Sequence, residues 1–353
     1  MTNEMSIQGR KIGPQFPPYV IAEMSANHNG SLESALRIID EARQAGADAV
    51  KIQTYRANTI TLKCDLPDFQ IKDGLWAGRS LYELYEWAHT PWEWHATLFG
   101  HARKLGITLF SSPFDNTAVD LLEDLGAPAY KIASFEAVDL PLIRYVAQTG
   151  KPMIISTGMS DAQEIQEAIH AAREGGCREL AILHCVSGYP APASDYNLRT
   201  LADMIQRFEL ITGLSDHTLD NTTAIASVAL GASIIEKHFT LNRRGGGPDD
   251  SFSLESPELR ELCSNVRTAW EAMGTMNYGR KSSEIGNVKF RRSLYFTKPL
   301  KAGERVQADA VRSVRPGFGL APKYLDSVVG AVLKADVTFG MAVSWDLLER
   351  PVS

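Results

Sequence analysis

Eight short apolar segments recur along the first 270 or so residues of this chain, and a longer amphipathic segment follows each of them. Each apolar segment is as short and as uniformly apolar as a strand that is buried on both faces. Eight such strands that alternate with eight helices predict an α/β fold, a (β/α)8 TIM barrel. The predicted strands are 19–22, 49–52, 108–110, 129–133, 153–155, 180–183, 210–213 and 233–235.

Helix-boundary signals frame several of the amphipathic segments. Ser31 is predicted to cap the first helix and Gly46 to end it. Thr90, with Glu93 three residues later, is predicted to cap another helix that ends at Gly106. The remaining helices are predicted at 117–125, 139–148, 161–174, 198–208, 222–230 and 257–273.

One connection of the predicted barrel is unusually long. Residues 56–89 lie between the second predicted strand and the helix that follows it, whereas such connections commonly have about 2–6 residues. The segment contains aromatic and charged residues. We therefore expect it to cover the mouth of the barrel.

The character of the sequence changes near residue 275. Residues 1–275 are predicted to form the barrel domain, and 276–290 a polar linker that contains Gly279 and Gly286. Residues 291–353 are predicted to form a small second domain of turns and short strands. Those strands are predicted at 293–297, 311–314 and 328–332.

Charge and composition narrow the class of protein. A formal net charge of -6 argues against a general affinity for nucleic acid or for an anionic membrane. The four cysteines include no CxxC pair, which predicts neither a zinc ribbon nor a disulfide framework and favours a reducing compartment. No apolar run reaches the roughly 20 residues of a membrane helix, and the first residues lack the apolar core of a signal peptide. We expect a cytoplasmic protein.

Polar side chains follow the predicted strands at the barrel end where catalytic residues of this fold lie. Lys51 and Lys131 are the most informative, because an ammonium group inside an apolar strand is costly to bury without an anionic partner. Each lysine could pair with a barrel carboxylate, or one could form a Schiff base. We favour a pocket for a phosphate and a carboxylate, as in phosphoenolpyruvate, with serine donors. Those serines are Ser112, Ser134, Ser156 and Ser215.

Two histidines follow neighbouring predicted strands. His217 and His238 are therefore expected to share one divalent cation. No cysteine is placed to complete a closed zinc site, so we expect an open octahedral site for Mn²⁺, Co²⁺ or Mg²⁺, with imidazole ligands favouring the first two. Glu23 and Glu136 either form salt bridges to barrel lysines, or bind sugar hydroxyls and transfer protons near the metal.

Several motifs in a fixed order resemble those of the sialic acid synthase family. They are IAEMSANHNG at 21–30, GADAVKIQT at 46–54, STGM at 156–159, GLSDHT at 213–218 and EKHFT at 236–240. The resemblance covers nearly the whole chain. The segment VRPG at 314–317 is similar to the antifreeze-like (SAF) domain that ends these synthases.

The chain departs from typical family members at two places. Typical members have a Gly-Val pair where this chain has Ser25 and Ala26, and an asparagine-bearing segment where it has CVSGY at 185–189. These departures argue against N-acetylmannosamine and favour a branch that uses a deoxy sugar with two acetamido groups. That branch is also similar at DGLWAG (73–78), LYELY (81–85), KIASFE (131–136) and GGPDDSFSLE (246–255).

The resemblance implies roles for individual residues. His217 and His238 match the metal ligands, and Arg315 matches an arginine that the antifreeze-like domain inserts into the partner subunit's active site, which implies a domain-swapped homodimer. The phosphoenolpyruvate pocket is matched by Lys51, Ser112, Lys131, Ser134, Ser156 and Ser215, with Ser187 where relatives have an asparagine. Sugar-side or catalytic positions are matched by Glu23, Gln53, Glu136, Tyr189 and Asp249.

Three alternatives stay open at this point. The first is another phosphoenolpyruvate-condensing barrel that acts on a sugar phosphate, although the sequence offers no basic cluster for a second phosphate beyond Arg243 and Arg244. The second is a Schiff-base aldolase that uses Lys131. The third is a non-catalytic carbohydrate-binding or antifreeze module, which would need neither metal ligands nor barrel lysines. Within the family, a synthase of N-acetylneuraminic or legionaminic acid is the alternative.

Overall fold

Eight parallel strands pair in ring order and close into a barrel, which confirms the predicted (β/α)8 fold. The computed structural model describes residues 4–349, and the barrel lies in the first of two units, which ends at Gly274. A short antiparallel hairpin, β1 (Met5–Ile7) and β2 (Arg10–Ile12), precedes it. The barrel strands are β3 (Tyr19–Glu23), β4 (Ala49–Thr54), β5 (Thr108–Pro113), β6 (Tyr130–Ile132), β7 (Met153–Ser156), β8 (Leu180–Cys185), β9 (Ile211–Asp216) and β10 (Ile234–His238).

Helices follow every barrel strand. Ser31 caps the first helix, as predicted, because its hydroxyl accepts a hydrogen bond from the Ser34 backbone, and Gly46 ends that helix at a φ of 96°. Three helices instead of one follow β4. The helices of this unit are α1 (Leu32–Ala45), α2 (Ala57–Ile60), α3 (Leu81–Ala88), α4 (His95–Leu105), α5 (Asn116–Asp124), α6 (Leu140–Ala147), α7 (Ala162–Glu174), α8 (Thr200–Phe208), α9 (Thr222–Ala229) and α10 (Ser256–Met273).

The predicted cap at Thr90 is wrong. A 3-10 turn, Trp92–Trp94, comes first, and α4 begins only at His95. The Thr90 side chain is buried, with its hydroxyl 3.4 Å from Nε2 of His28, so it faces another element instead of the helix end. A local capping pattern was overridden by this long-range contact.

The barrel interior changes from apolar to charged along the strands. Successive inward positions lie two residues apart, so on β3 Tyr19 and Ile21 fill the lower layers while Glu23 reaches the upper one. Met5, Ile7 and Ile12 of the hairpin pack into the same lower cluster. The cluster consists of these residues with Ala49, Phe110, Ala129, Ile154, Ala181, Leu183, Ile211 and Ile234.

The second unit begins at Thr275 and has a core of its own. Its strands β11 (Ser293–Phe296) and β12 (Val311–Val314) pair antiparallel. Its helices are α11 (Ser282–Ile285) and α12 (Leu325–Val328). The strand predicted at 328–332 is wrong, because α12 runs into this segment and Gly330 turns the chain at a φ of 86°. Within residues 4–349, no helix is both long and apolar enough to span a bilayer.

Two buried histidines under the barrel rim make stability depend on pH. His28 accepts a hydrogen bond from the Gly30 backbone, and His95 lies 2.8 Å from the Thr54 hydroxyl and 3.1 Å from the Pro91 carbonyl oxygen. Burial lowers the pKa of each imidazole to about 4. The unfolded chain therefore binds more protons than the folded chain between pH 6.5 and 4.

We expect the contribution of these histidines to the free energy of unfolding to be fully present above pH 6.5. It should be lost as the pH falls toward 4, and the loss should be about 3 kcal/mol for each histidine. Urea unfolding across this range would measure the slope. The variant His95→Asn, which removes one titrating group, should show a shallower slope whatever its absolute stability. An unchanged slope would contradict the assignment.

Candidate active site

Four ionisable side chains form a charged layer at the top of the barrel interior: Glu23, Lys51, Lys131 and Glu236. Lys51 Nζ lies 2.9 Å from Glu23 Oε2 and 3.8 Å from Glu236 Oε1, and Lys131 Nζ lies 3.1 Å from the same Glu236 oxygen. All four side chains are at most 6% exposed. The layer therefore holds two positive and two negative charges out of water.

The charges of this layer control one another. Burial raises the pKa of Glu236, but the ammonium groups of Lys131 and Lys51 outweigh burial and hold it at about 2. Burial lowers the pKa of Lys131; the Glu236 carboxylate opposes this effect, and the neighbouring Lys51 adds to it, so the pKa stays lowered. Burial also lowers the pKa of Lys51, but the carboxylates of Glu23 and Glu236 outweigh it and leave that pKa raised. Two closely spaced cations at this depth are suited to a compact anion with two charged groups.

Small donors surround the lysines. Ser215 donates to Glu236, and Lys51 donates to the Ser112 hydroxyl at 3.3 Å. Ser156 is buried, and its hydroxyl has no hydrogen-bond partner among residues 4–349. A buried hydroxyl of this kind indicates a missing ligand or water.

A close backbone approach completes this cradle. The Gly158 N–H donates to the Ser134 hydroxyl at 3.2 Å. A Cβ at position 158 would lie 2.3 Å from the hydroxyl oxygen of Ser187 and 2.8 Å from that of Ser134. Only glycine fits here, which gives a physical reason for the STGM motif.

Two imidazoles lie beside the charged layer. The ring centroids of His217 and His238 are 5.3 Å apart. His217 Nδ1 lies 2.8 Å from the Val186 carbonyl oxygen, which leaves its Nε2 available, and burial lowers the pKa of His238 well below its usual value. Nδ1 of His238 is buried and has no partner within the described part of the chain. Contacts with Cys185 outweigh burial and raise the pKa of His217. A neutral imidazole with an available nitrogen is the form that binds metal, and His238 meets that description in this structure.

A hydrogen-bonded chain leads from the charged layer toward the barrel mouth. Gln53 Nε2 donates to Glu23 Oε1 and to the Ser25 hydroxyl, each at 3.0 Å. Ser25 in turn donates to Asp249 Oδ2 at 2.5 Å. Asp249 lies on the loop between β10 and α10. These hydrogen bonds therefore connect the segment after the first barrel strand with the loop after the last barrel strand.

The asparagines of the 21–30 motif hold that same loop in place. Asn27 Nδ2 donates to the Phe239 carbonyl and the Ser253 hydroxyl, and Asn29 Nδ2 donates to Asp250. A Cβ at Gly247 would overlap the Asn29 side chain. Two motifs that are more than 200 residues apart therefore form one structural unit.

A cavity of about 360 Å³ opens above the charged layer, and we call it the mouth cavity. The long connection after β4 supplies much of its wall, as predicted, and Trp76 Nε1 donates to the Pro248 carbonyl on the opposite loop. Glu136 lines the cavity, and burial raises its pKa to about 7. The apolar and aromatic wall residues are Tyr55, Ile60, Ile71, Trp76, Leu81, Leu84, Tyr85, Phe114 and Tyr189.

The structure brings the predicted site residues of the first unit to this end of the barrel. Arg315 follows β12 in the second unit and is exposed, and its role in a partner's site stays a prediction. The roles of the gathered residues also stay predictions. Sequence reasoning placed Glu236 at the end of a strand without giving it a role, and it gave no role to Ser25 or Trp76. Glu236 lies two residues before His238 on β10, so strand alternation was the signal that could have found it.

Comparisons with known proteins agree with this geometry. The NeuB family model matches residues 38–278, and the SAF domain model matches residues 291–349. The first match alone covers well over half of the chain.

The chain belongs to the NeuB family.

Several relatives are named synthases of nonulosonic acids. The chain is 43% identical to pseudaminic acid synthase from Campylobacter jejuni over 92% of this chain and 95% of the relative. It is 39% identical to pseudaminic acid synthase from Helicobacter pylori over 95% of this chain and 98% of that relative. A crystal structure of N-acetylneuraminic acid synthetase from Leptospira borgpetersenii aligns with a TM-score of 0.72 at 30% identity, over 81% of this chain and 95% of that one. The resemblance to sialic acid synthases is confirmed, and this NeuB-family chain is an enzyme, a sialic-acid-type synthase.

Proposed function

We propose that this enzyme makes pseudaminic acid by condensing phosphoenolpyruvate with 2,4-diacetamido-2,4,6-trideoxy-β-L-altropyranose and releasing phosphate. The observation that carries the proposal is the stacking of two chemically different spaces. A deep layer with two lysines and one unpartnered serine hydroxyl, that of Ser156, lies directly below an apolar cavity. The first space suits a small dianionic substrate, and the second suits a sugar with apolar substituents.

The deep layer would hold phosphoenolpyruvate. Lys51 and Lys131 supply two positive charges, while Ser156 offers a hydroxyl that no described residue engages. Charge-assisted hydrogen bonds of this kind are about twice as strong as neutral ones. The lysines are already held in place by Glu23 and Glu236, so little reorganisation is needed as charge shifts during the reaction.

The mouth cavity would hold the sugar. Ile71, Leu84, Tyr85 and Trp76 give it an apolar wall, and N-acetylmannosamine would place more hydroxyl groups against this wall than a 6-deoxy sugar with two acetamido groups. An unpaired hydroxyl against an apolar wall costs about 1–3 kcal/mol. The apolar wall therefore favours the diacetamido deoxy sugar.

The proposed reaction joins the two spaces. Carbon 3 of phosphoenolpyruvate forms a bond to the aldehyde carbon of the open-chain sugar, and the aldehyde oxygen takes up a proton. Water adds to carbon 2 and gives up one proton, which leaves a hydroxyl group there. That hydroxyl then loses its proton and becomes the keto oxygen as the C–O bond to phosphate breaks, with the electron pair of that bond leaving on phosphate. Glu136, with a pKa of about 7, suits proton transfer to the sugar oxygen near neutral pH, and Glu23 lies deeper, where the water would add.

A divalent cation, Mn²⁺ by preference, would be held by His217 and His238. The orphaned Nδ1 of His238 and the hydrogen bond that orients His217 fit this role. No cluster of three or more His, Cys, Asp or Glu metal ligands occurs within residues 4–349, so water and substrate oxygens would complete the coordination. When bound, such a cation supplies polarisation of a carbonyl oxygen.

We also propose a homodimer in which the second unit of one copy covers the barrel rim of the other. Residues 1–274 carry 23 Lys and Arg against 35 Asp and Glu, a net charge of -12, whereas residues 275–353 carry 13 against 7, a net charge of +6. The barrel rim exposes Phe135 and Met159, and the second unit exposes Phe318 and Phe339. Opposite charge and exposed apolar side chains favour association. A solution mass of 38.8 kDa, that of one chain, would contradict the proposal.

A sugar panel tests the proposed reaction. The enzyme with phosphoenolpyruvate and Mn²⁺ should release phosphate with the diacetamido altrose sugar at least 10-fold faster than with N-acetylmannosamine or the 2,4-diacetamido precursor of legionaminic acid. A phosphate assay with mass spectrometry of the product measures this. Borohydride with pyruvate should trap no adduct on Lys131.

Release with N-acetylmannosamine alone would overturn the choice of sugar but leave the synthase intact. A borohydride-trapped pyruvate adduct would instead support the aldolase. Glycan binding without any phosphate release would support a non-catalytic module.

A further inference from the structure

Ser25 occupies a backbone conformation that penalises a serine. Its φ is 45°, in the left-handed region that glycine adopts without a steric penalty and that residues with a Cβ adopt rarely. Strain of this kind persists where the side chain contributes something that offsets it.

The Ser25 side chain makes two hydrogen bonds inside the site. It is 3% exposed, accepts from Gln53 Nε2 at 3.0 Å and donates to Asp249 Oδ2 at 2.5 Å. A glycine at position 25 would leave the Asp249 oxygen without this donor. Ser25 and Asp249 both line the mouth cavity, on the side of Gln53 and Tyr189.

The partners of Ser25 restrict what it can do. Gln53 is fixed from its other side by Glu23, so the Ser25 hydroxyl has a rigid donor behind it and its own proton is directed at Asp249. One oxygen of the Asp249 carboxylate is thereby occupied. The carboxylate also accepts a backbone hydrogen bond from Ala26. Its remaining lone pairs can accept an N–H or O–H from a ligand in the cavity.

We propose that Ser25 is a specificity-determining positioning residue that fixes the Asp249 carboxylate as an acceptor for an amide N–H of the sugar. This inference rests on the proposed function, because it takes the occupant of the mouth cavity to be an acetamido sugar. Ser25 acts through Asp249 and has no part in holding phosphoenolpyruvate. Its loss therefore affects the two substrates differently.

Two variants separate the hydroxyl from the backbone strain. Ser25→Gly removes both, and Ser25→Ala removes the hydroxyl alone. Both variants should raise the KM for the sugar about 10-fold, which corresponds to one lost hydrogen bond, and leave the KM for phosphoenolpyruvate within twofold. The Tm of Ser25→Gly should equal or exceed that of the wild type, and the Tm of Ser25→Ala should be lower than that of Ser25→Gly.

The matched control is Glu209→Gly. Glu209 has a φ of 52° at the C-terminal end of α8 and is exposed, so this variant relieves the same kind of strain away from the cavity. It should raise the Tm and leave both KM values unchanged. The double variant Ser25→Gly/Asp249→Asn should raise the sugar KM by less than the product of the single effects, since the two residues act together.

The outcomes are distinct. Variant and wild type are compared on whichever panel sugar the wild type uses best. An unchanged sugar KM in Ser25→Gly, or equal rises in both KM values with a fall in Tm, overturns the role of Ser25 while the proposed function stands. A wild type that releases phosphate with no panel sugar overturns the proposed function itself, and the inference with it.

Discussion

Replacing His217 or His238 by alanine is expected to lower kcat at least 100-fold while the barrel stays folded. Both imidazoles lie at the barrel mouth with their rings 5.3 Å apart, and neither forms a salt bridge with a described residue. Removing one would take away a proposed metal ligand without breaking a salt bridge of the charged layer. Phosphate release measures the activity, and circular dichroism with thermal unfolding checks the fold.

A surface histidine provides the control for this pair. His101 pairs with Asp40 on the outside of the barrel, so His101→Ala should keep wild-type activity. Metal content by mass spectrometry gives a second readout, with about one Mn²⁺ per chain in the wild type and in His101→Ala and much less in the site variants. Full activity of the His217→Ala/His238→Ala double variant in the presence of a chelator would remove the metal from the proposal.

Glu236→Ala is expected to cost about 3–5 kcal/mol of folding stability. Glu236 lies 3.1 Å from Lys131 Nζ and 3.8 Å from Lys51 Nζ, and both lysines are almost completely buried. Without this carboxylate, two buried ammonium groups share only Glu23. The same variant should also lose activity, because the lysines would no longer be held in one geometry. Urea unfolding at pH 7 measures the change in the free energy of unfolding.

A compensating variant separates charge from packing. Adding Lys131→Met to Glu236→Ala removes the uncompensated cation, so the double variant should be more stable than Glu236→Ala alone. The exposed pair Arg207 and Asp203 provides the control, since Asp203→Ala should change stability by less than about 1 kcal/mol. If Glu236→Ala unfolds at the wild-type urea concentration, the charged layer does not have the energetic role assigned to it.

The sequence alone was sufficient to predict the barrel, because the signals that mark its strands and helix ends are local and repeated. A strand buried on both faces is apolar along its whole length, and Ser31 and Gly46 mark helix ends through contacts with their own neighbours. The position of Lys51 or Lys131 at a strand end followed from the fold, since all parallel strands of a barrel end on one side.

The remaining features depend on contacts that no local pattern encodes. Thr90 resembles a helix cap but faces His28, which is 62 residues away. The bond from Trp76 to Pro248 spans 172 residues. The positive φ of Ser25 is not visible in its neighbours along the chain. The spacing of motifs predicted which side chains gather at the barrel mouth but not which of them touch.

The apolar lower layers of the barrel have one further consequence. With the β1–β2 hairpin packed into that end, apolar side chains lie below the charged layer and the mouth cavity opens above it. A small molecule that reaches the charged layer through the mouth cavity passes the residues that line that cavity. A ligand seated in the mouth would shut in any smaller molecule beneath it.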